Sequence, residues 1–214
     1  MKKIGIIGAG KLGLALAKLA LDAGYDVGIS SSRPAQAIEL TVEVLAPGAK
    51  AYTTTELIEQ FSTIILALPL SRFLALPDSI LTQFKEKTVL DAMNFWWEID
   101  GKDQEAHYRN SSVTVQNKLP EAFVVKAFNH MGYHDLAAEA TTKEHKKAIA
   151  YATDHPHIVP EIEELIKQLG FDPYALATLE QGVMLEPGSP LFGANESKAV
   201  LDVMIRQMEH KTVD

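Results

Sequence analysis

Short apolar runs recur along the chain, separated by segments of helical length. Most of these runs are continuous in apolar residues rather than alternating with polar ones. Continuous runs of five or six residues are typical of strands that are covered on both faces, as in a parallel sheet. Six strands are predicted on this basis: Lys3–Gly8, Asp26–Ser30, Thr63–Leu68, Thr88–Ala92, Phe123–Ala127 and Lys147–Ala152.

The residues between the first two runs follow a helical period. One helix face would carry Leu12, Leu16, Leu19, Ala20 and Ala23. Gly24 suits the C-terminal end of this helix, and a second helix is predicted from Pro34 to about Ala46. Strands that alternate with helices predict an α/β fold with a doubly wound parallel sheet.

The pattern changes after about residue 152. A helix over His155–Leu169, a short extended piece over Asp172–Ala177 and a final helix from about Glu196 to His210 are predicted. Apolar residues spread widely around the final helix, at positions 199, 200, 201, 203, 204, 205 and 208. Such a helix packs on two sides, either against a second subunit or within its own domain.

The composition narrows the function classes. The chain has 214 residues, 47% of them hydrophobic, with 20 Lys and Arg against 28 Asp and Glu and a formal net charge of −8. This charge argues against a nucleic-acid partner, because nucleic-acid binders rely on cations to contact phosphates. The absence of cysteine excludes a disulfide framework, a thiolate metal site and a thiol nucleophile. We expect a small molecule as the partner.

The apolar N-terminal segment is not predicted to be an export signal or a membrane span. Lys11 and Lys18 interrupt it, and no small-residue cleavage site follows. No other stretch reaches the about 18 uncharged apolar residues of a membrane helix. We therefore expect a cytoplasmic protein without a membrane partner.

A glycine-rich turn between the first predicted strand and helix carries the clearest chemistry. Gly8-Ala9-Gly10-Lys11-Leu12-Gly13 has the spacing G-x-G-x-x-G inside a strand–helix–strand unit of about 30 residues. In a dinucleotide site, the first glycine permits the tight turn, the second admits a pyrophosphate and the third lets the helix pack on the strand. The helix N-terminus would then bind the phosphates. A glycine-rich turn without a ligand is the alternative.

The end of the second predicted strand indicates which nucleotide binds. NAD sites carry an acidic residue about 20 residues further on, which bonds the ribose 2′-hydroxyl. This chain has instead Ser30, Ser31, Ser32 and Arg33, without a carboxylate. Hydroxyl donors and a permanently charged guanidinium suit a 2′-phosphate, which a carboxylate would repel. The sequence predicts NADP(H), with Lys11 within reach of the same region; a polar turn beside a surface arginine is the alternative.

Later strand ends are expected at the same edge of the sheet, because ligands of such folds lie beyond the carboxyl ends of the strands. Leu68 and Pro69 are predicted to wall the cofactor near its nicotinamide. Asn94 and Asn129 are predicted to bond the nicotinamide, its ribose or the second substrate, although asparagine also favours turns. Trp96 and Trp97 fit either an aromatic wall for a planar acceptor or ordinary packing.

These segments together resemble a known family. GAGKLG at residues 8–13, SSSR at 30–33, ILALP at 65–69, DAMN at 91–94 and KAFN at 126–129 are similar to the NADP-dependent reductases of the deazaflavin coenzyme F420. The soluble NADPH-binding part of the membrane metalloreductases is also similar. The resemblance covers nearly the whole chain, and the SSR and KAFN segments are more specific than the glycine fingerprint.

The resemblance implies an enzyme, its cofactor and its assembly. It assigns NADP binding to Gly8, Gly10 and Gly13, the 2′-phosphate site to Ser32 and Arg33, and the proline-bearing strand end to Leu68 and Pro69. It also implies a homodimer. Residues 1–152 are predicted to form the NADP-binding Rossmann domain. Residues 153–214 are predicted to form a small C-terminal α/β part that completes the substrate pocket and the dimer interface.

The predicted reaction is direct hydride transfer between nicotinamide and a planar acceptor, which is coenzyme F420, a flavin or a quinone-like compound. Such a reaction needs the rings held together and water excluded, so no catalytic residue and no metal site are predicted. Two alternatives are open: an NADP(H)-binding redox sensor without turnover, and a reductase of a small carbonyl or imine. The second would need a proton donor, for which His130 is the candidate; the resembled family often carries Thr there.

Overall fold

The computed structural model describes residues 2–101, 110–141 and 145–211, with side chains up to Met208. Its strands are β1 (Lys3–Ile7), β2 (Asp26–Ser30), β3 (Lys50–Ala51), β4 (Thr63–Leu66), β5 (Thr88–Asp91), β6 (Phe123–Ala127), β7 (Ala148–Ala152) and β8 (Asp172–Ala175). The helices are α1 (Lys11–Asp22), α2 (Ala35–Leu45), α3 (Thr54–Gln60), α4 (Leu70–Leu74), α5 (Asp78–Leu81), α6 (Trp97–Asp100), α7 (Ser111–Lys118), α8 (Tyr133–Glu139), α9 (Val159–Gln168) and α10 (Lys198–Lys211). Within the described ranges, 3₁₀ helices cover Thr82–Phe84, Pro156–Ile158 and Leu179–Leu185.

The described strands form one sheet in the order β3-β2-β1-β4-β5-β6-β7-β8. All neighbouring strands pair in parallel except β6 and β7, which are antiparallel. The predicted doubly wound α/β fold is therefore confirmed, with one reversed strand that the apolar runs did not reveal. The strand order changes direction between β1 and β4, and this is where ligands bind in such sheets.

Apolar side chains cover both faces of the sheet. On one face, α1 buries Leu16, Ala17 and Ala20 against the strands. On the other face, α3 buries Leu57 and Ile58 in a second cluster. Both clusters receive side chains from β1 and β4, because neighbouring residues of a strand point to opposite faces. This explains why the strands read as continuous apolar runs.

The chain after residue 152 continues the same sheet through β8, which pairs with β7. A third apolar cluster joins the alanines of β7 to α10 through the buried Leu201 and Ile205. The boundary at residue 152 remains a prediction. No helix among the described residues has the length and apolar content needed to cross a lipid bilayer.

Candidate functional site

A long cleft lies at the carboxyl ends of β1 and β4, where the strand order reverses. It has two halves of about 500 and about 450 Å³, which share Gly10, Ala67, Leu68 and Pro69 as lining residues. We call them the arginine half and the aromatic half. The arginine half is lined further by Ser31, Ser32, Arg33, Thr54 and Arg72. The aromatic half is lined further by Lys11, Asn94, Trp96, Asn129, Tyr133 and Phe192.

The glycine-rich turn connects β1 to α1 at the middle of the cleft. Gly8 has a φ of 128°, and a Cβ there would overlap the carbonyl of Ala67. A Cβ at Gly13 would overlap the carbonyl oxygen of Gly8, so this glycine allows α1 to approach the turn. Gly10 differs, because a Cβ there would meet no atom of the described residues within 4 Å and would project into open space. The turn is therefore built around two packing glycines and one glycine that leaves room for a ligand.

The arginine half brings together the residues predicted for a 2′-phosphate. Ser31, Ser32 and Arg33 follow β2, and the Ser31 hydroxyl accepts a hydrogen bond from the Arg33 backbone N–H at 3.1 Å. Arg72, on α4 just after Pro69, lines the same space. Neither arginine forms an ion pair with any described residue. Two uncompensated cations beside serine hydroxyls suit a phosphate group.

Lys11 lies in the other half of the cleft. Its Nζ is 5.5 Å from the centre of the Tyr133 ring at the start of α8, and both residues line the aromatic half. The expected reach of Lys11 toward the 2′-phosphate side is thus not what the structure shows. The face of the Tyr133 ring attracts the ammonium group of Lys11, the first residue of α1.

Asn94 and Asn129 meet across the ends of β5 and β6. The Asn94 side-chain amide donates to the Asn129 carbonyl at 2.9 Å, and the Asn129 amide donates to Asn94 Oδ1 at 3.0 Å and to the Leu185 carbonyl at 2.7 Å. Asn129 is 4% exposed, and its Oδ1 has no hydrogen-bond partner among the described residues. A buried amide oxygen without a partner, on the lining of a cleft, is suited to accept a hydrogen bond from a ligand.

An aromatic pair forms the outer wall of the aromatic half. The rings of Trp96 and Phe192 are 5.7 Å apart and packed edge to face. Asp100 fixes this wall to α4, because its carboxylate accepts from the N–H groups of Ser71 and Trp96, both at 2.9 Å. Trp97 begins α6 and lies outside the lining of either half. Of the two tryptophans, only Trp96 therefore walls the cleft.

His130 is buried behind the cleft rather than in it. It is 1% exposed, and its Nε2 accepts from the backbone N–H of Ala150 at 3.0 Å. Burial lowers the pKa of His130 to about 4, so the ring is neutral at pH 7. Tyr133 is the hydroxyl-bearing residue that lines the aromatic half. Within the described residues, no group of three or more acidic or histidine side chains is arranged to hold a metal ion.

The sequence interpretation missed several residues of this cleft. Arg72, Tyr133 and Phe192 lie in segments whose local sequence shows no motif, and only the fold brings them to the cleft. Lys126, in the KAFN segment, is 0% exposed together with Asp91, and the sequence interpretation assigned neither of them a role. The sequence does hold one signal for this buried ion pair. A lysine and an aspartate lie inside otherwise apolar strands, and charged residues are rarely fully buried unless they are paired.

The chain is similar to a family model and to several solved structures. Residues 3–95 match the family model described as NADP oxidoreductase, coenzyme F420-dependent. The structure of a hypothetical protein from Sinorhizobium meliloti is 30% identical, with a TM-score of 0.80, and the match covers 92% of this chain and 96% of that one. A protein from an Arthrobacter species, provisionally described as an F420-dependent NADP reductase, is 20% identical with a TM-score of 0.70, covering 86% and 90%.

A more distant likeness concerns the fold alone. An imine reductase from Myxococcus stipitatus is 13% identical with a TM-score of 0.57, and the match covers 100% of this chain but 62% of that one. No curated protein matches the chain.

Proposed function

We propose a function on the premise that the chain belongs to the family of coenzyme F420-dependent NADP oxidoreductases and is itself an NADP-dependent oxidoreductase. The protein binds NADP(H) along the cleft and transfers a hydride between the nicotinamide and a planar redox acceptor. The acceptor is coenzyme F420, a flavin or a quinone-like compound. The main support for this proposal is that one cleft has an arginine half, which carries two cations, and an aromatic half.

The arginine half suits the 2′-phosphoadenosine end of the nucleotide. Arg33 and the hydroxyls of Ser31 and Ser32 supply donors, and Arg72 adds a second cation. The open space above Gly10, at the N-terminus of the twelve-residue helix α1, suits the pyrophosphate. Ala9 and Gly8 line the arginine half beside it, and Leu12 lines the aromatic half. The residues present therefore fit NADP.

The aromatic half suits the nicotinamide and the acceptor. The free Oδ1 of Asn129 is placed to accept from the carboxamide N–H₂ or a ribose hydroxyl. Leu68 and Pro69 separate the two halves, and Trp96 with Phe192 offers a flat apolar wall on which a planar ring can pack. A planar acceptor therefore finds both polar and apolar contacts here.

The protein's part in the reaction is to position the rings and exclude water. When bound, NADPH supplies the hydride, and a proton from solvent completes the reduction of the acceptor. The chain holds the reacting groups at contact distance, which for such transfers is about 3–3.5 Å. The apolar lining contributed by Met93, Phe128 and Met131 keeps water away from the transfer.

The test is a panel of acceptors offered with NADPH. The purified protein is mixed with coenzyme F420, flavin mononucleotide, a soluble quinone and a cyclic imine, and nicotinamide oxidation is followed by absorbance. Turnover with a planar acceptor supports the proposal. Tight NADPH binding without turnover on any acceptor would instead indicate a redox sensor, and turnover on the imine alone would contradict the planar-acceptor assignment.

A specific observation favours one second candidate, a reductase of a small imine or carbonyl compound. This chemistry needs a proton donor at the reacting atom, and the phenol of Tyr133 lines the aromatic half beside Lys11. His130, the donor suggested by the sequence, is buried away from the lining. Tyr133 is thus the donor that this alternative requires.

Replacing Tyr133 by Phe separates the two candidates. Loss of an obligatory proton donor lowers the rate by about 10²–10⁴-fold on the imine. Direct hydride transfer to a deazaflavin or flavin needs no such donor, so the same variant should keep its rate within a few-fold. Tyr174→Phe, on β8 and outside both halves of the cleft, is the matched control.

A further inference from the structure

A buried lysine lies directly behind the aromatic half of the cleft. Lys126 on β6 is 0% exposed, and its Nζ donates to the Met93 carbonyl at 2.7 Å, to Ser111 Oγ at 2.9 Å and to Asp91 Oδ2 at 3.3 Å. All three ammonium protons therefore have acceptors. Removing a lysine from water is costly, and an interior position for it is maintained only where its contacts are well formed. Lys126 does not line the cleft and cannot touch the reacting atoms.

Asp91 also forms a hydrogen bond to the backbone of the loop that follows β5. Asp91 is also 0% exposed; its Oδ1 accepts from the Met93 N–H at 3.0 Å, and its Oδ2 accepts from the Ser112 hydroxyl at 2.6 Å. The lysine and the aspartate together bond both the C=O and the N–H of Met93. Met93 lines the aromatic half and directly precedes Asn94, so these two bonds to the Met93 backbone also restrict the backbone that carries the Asn94 side chain.

Glu186 extends this cluster to the second asparagine. Its carboxylate lies 3.9 Å from Lys126 Nζ and accepts from both the N–H and the hydroxyl of Ser111 at 2.6 Å. The preceding residue, Leu185, provides the carbonyl that accepts from the Asn129 side chain. The buried ammonium group of Lys126 therefore contacts Met93, which precedes Asn94, and Glu186, which follows the residue that binds Asn129.

The backbone between Lys126 and Asn129 is also unusual. Phe128 has a φ of 64°, in the left-handed region that bulky residues rarely adopt. It is fully buried and lines the aromatic half. Such a conformation persists only where the surrounding contacts determine it. The contacts of Lys126 on one side and of Asn129 on the other supply that constraint.

We propose that Lys126 is a positioning residue of the nicotinamide half of the site: through Met93 and Glu186 it holds Asn94 and Asn129 in the orientation that binds the nicotinamide riboside. The proposal rests on the proposed binding of NADP(H). It predicts that loss of the ammonium group weakens the binding of the nicotinamide riboside part of the nucleotide, which lies in the aromatic half. The 2′-phosphoadenosine part, bound in the arginine half, is unaffected.

The test compares two ligands by calorimetry in the variant Lys126→Met. NADP⁺ reaches both halves of the cleft, whereas 2′,5′-ADP carries only the adenosine and its phosphates. Two neutral hydrogen bonds to the nicotinamide riboside correspond to about tenfold in affinity. We expect the Kd of NADP⁺ to rise about tenfold and that of 2′,5′-ADP to stay within twofold. Lys85→Met, which removes an exposed lysine paired with Glu121, is the matched control and should change neither Kd.

Lys126→Met leaves Asp91 and Glu186 buried without their cation, so the single variant is at risk of unfolding. The double variant Asp91→Asn/Lys126→Met removes one negative charge as well, while the new amide oxygen still accepts from the Met93 N–H. It still loses the bonds of Lys126 to the Met93 carbonyl and to Ser111 Oγ and the ion pair with Glu186, and it should show the same selective loss.

Three results have different meanings. A selective loss of NADP⁺ affinity supports the positioning role. Equal losses for both ligands, or no loss for either in a folded variant, would overturn it and leave Lys126 as a core residue. If the wild-type protein binds neither ligand, the proposed function itself fails, and that result is visible before any variant is made.

Discussion

At the residue scale, the choice of nucleotide depends on Arg33. It lines the arginine half beside Ser31 and Ser32 and has no acidic partner among the described residues. A charge-assisted hydrogen bond contributes about 1.5–3 kcal/mol, or about 10- to 150-fold in affinity. Arg33→Ala should weaken NADPH by this factor and leave NADH unchanged, as measured by fluorescence titration. Arg206→Ala, an exposed arginine of α10, serves as the control.

Arg72 is the second arginine that could bind the 2′-phosphate, and it decides how the Arg33→Ala titration is interpreted. It lines the arginine half but comes from α4 rather than from the end of β2. If both nucleotides weaken equally in Arg33→Ala, the arginine contacts a phosphate that the two share, and the 2′-phosphate assignment would move to Arg72. Added salt should reduce either effect, because the cleft is open to solvent.

His130 couples stability to pH at the residue scale. Its pKa falls from about 6.5 in the unfolded chain to about 4 in the folded protein, because the ring is buried. The folded state therefore binds fewer protons, and the stability associated with neutral His130 is complete above pH 6.5 and declines as the pH falls toward 4. The shift corresponds to an order of 3 kcal/mol.

Urea unfolding at pH 7 and pH 5 measures this contribution. His130→Gln retains an acceptor for the Ala150 N–H and cannot titrate, so its stability should change less between the two pH values than that of the wild type. His134→Gln, at an exposed position, should behave like the wild type. An unchanged pH dependence in His130→Gln would show that other groups dominate acid unfolding.

At the element scale, the glycine turn separates binding from folding. Gly10 opens to space whereas Gly13 packs against the Gly8 carbonyl, so equal substitutions at the two positions have different costs. Gly10→Val should keep the melting temperature within a few degrees and abolish nucleotide binding, because its side chain fills the space for the pyrophosphate. Gly13→Val should lower the melting temperature strongly. Thermal unfolding with and without NADPH measures both effects, and unchanged NADPH affinity in a folded Gly10→Val protein would refute the role of the turn.

Elements that are fixed by local pattern were predictable from the sequence. The strands from β1 to β7, apart from the two-residue β3, and helices α1, α2 and α9 lie close to their predicted ranges, because period and glycine or proline ends determine them locally. The two-residue β3 and the short helices α4 to α6 have too few residues to show a period. The antiparallel pairing of β7 was also hidden, since a buried strand is apolar whichever way it runs.

The same distinction holds for the candidate site. Motif positions such as Gly8, Arg33 and Asn129 were predicted because the chemistry and the spacing are local. Arg72 and Phe192 reach the cleft only through the packing of α4 and of the segment after β8, which no local pattern encodes. Lys11 was misplaced for the same reason, since its side-chain direction depends on Tyr133, more than a hundred residues away.

At the scale of the whole molecule, α10 has an apolar surface on two sides. Leu201 and Ile205 are buried against β7, whereas Val200 and Val203 are 41% and 54% exposed and lie three residues apart on one outer face. The sequence prediction of a homodimer assigns this outer face to a second copy of the chain. A C₂ dimer would place the two α10 helices in the same self-complementary contact.

The dimer prediction is tested by mass in solution. The chain has a mass of 23.5 kDa, so light scattering should give twice this value for the wild type. Val203→Glu places a charge in the proposed contact and should shift the mass to that of one chain without lowering the melting temperature greatly, since position 203 is exposed within the subunit. Leu40→Glu, at a 71% exposed position on α2, is the matched control, because α2 carries the other exposed apolar residues Val44 and Leu45. A dimer that survives Val203→Glu but dissociates in Leu40→Glu would move the interface to α2, and a monomeric wild type would refute the dimer altogether.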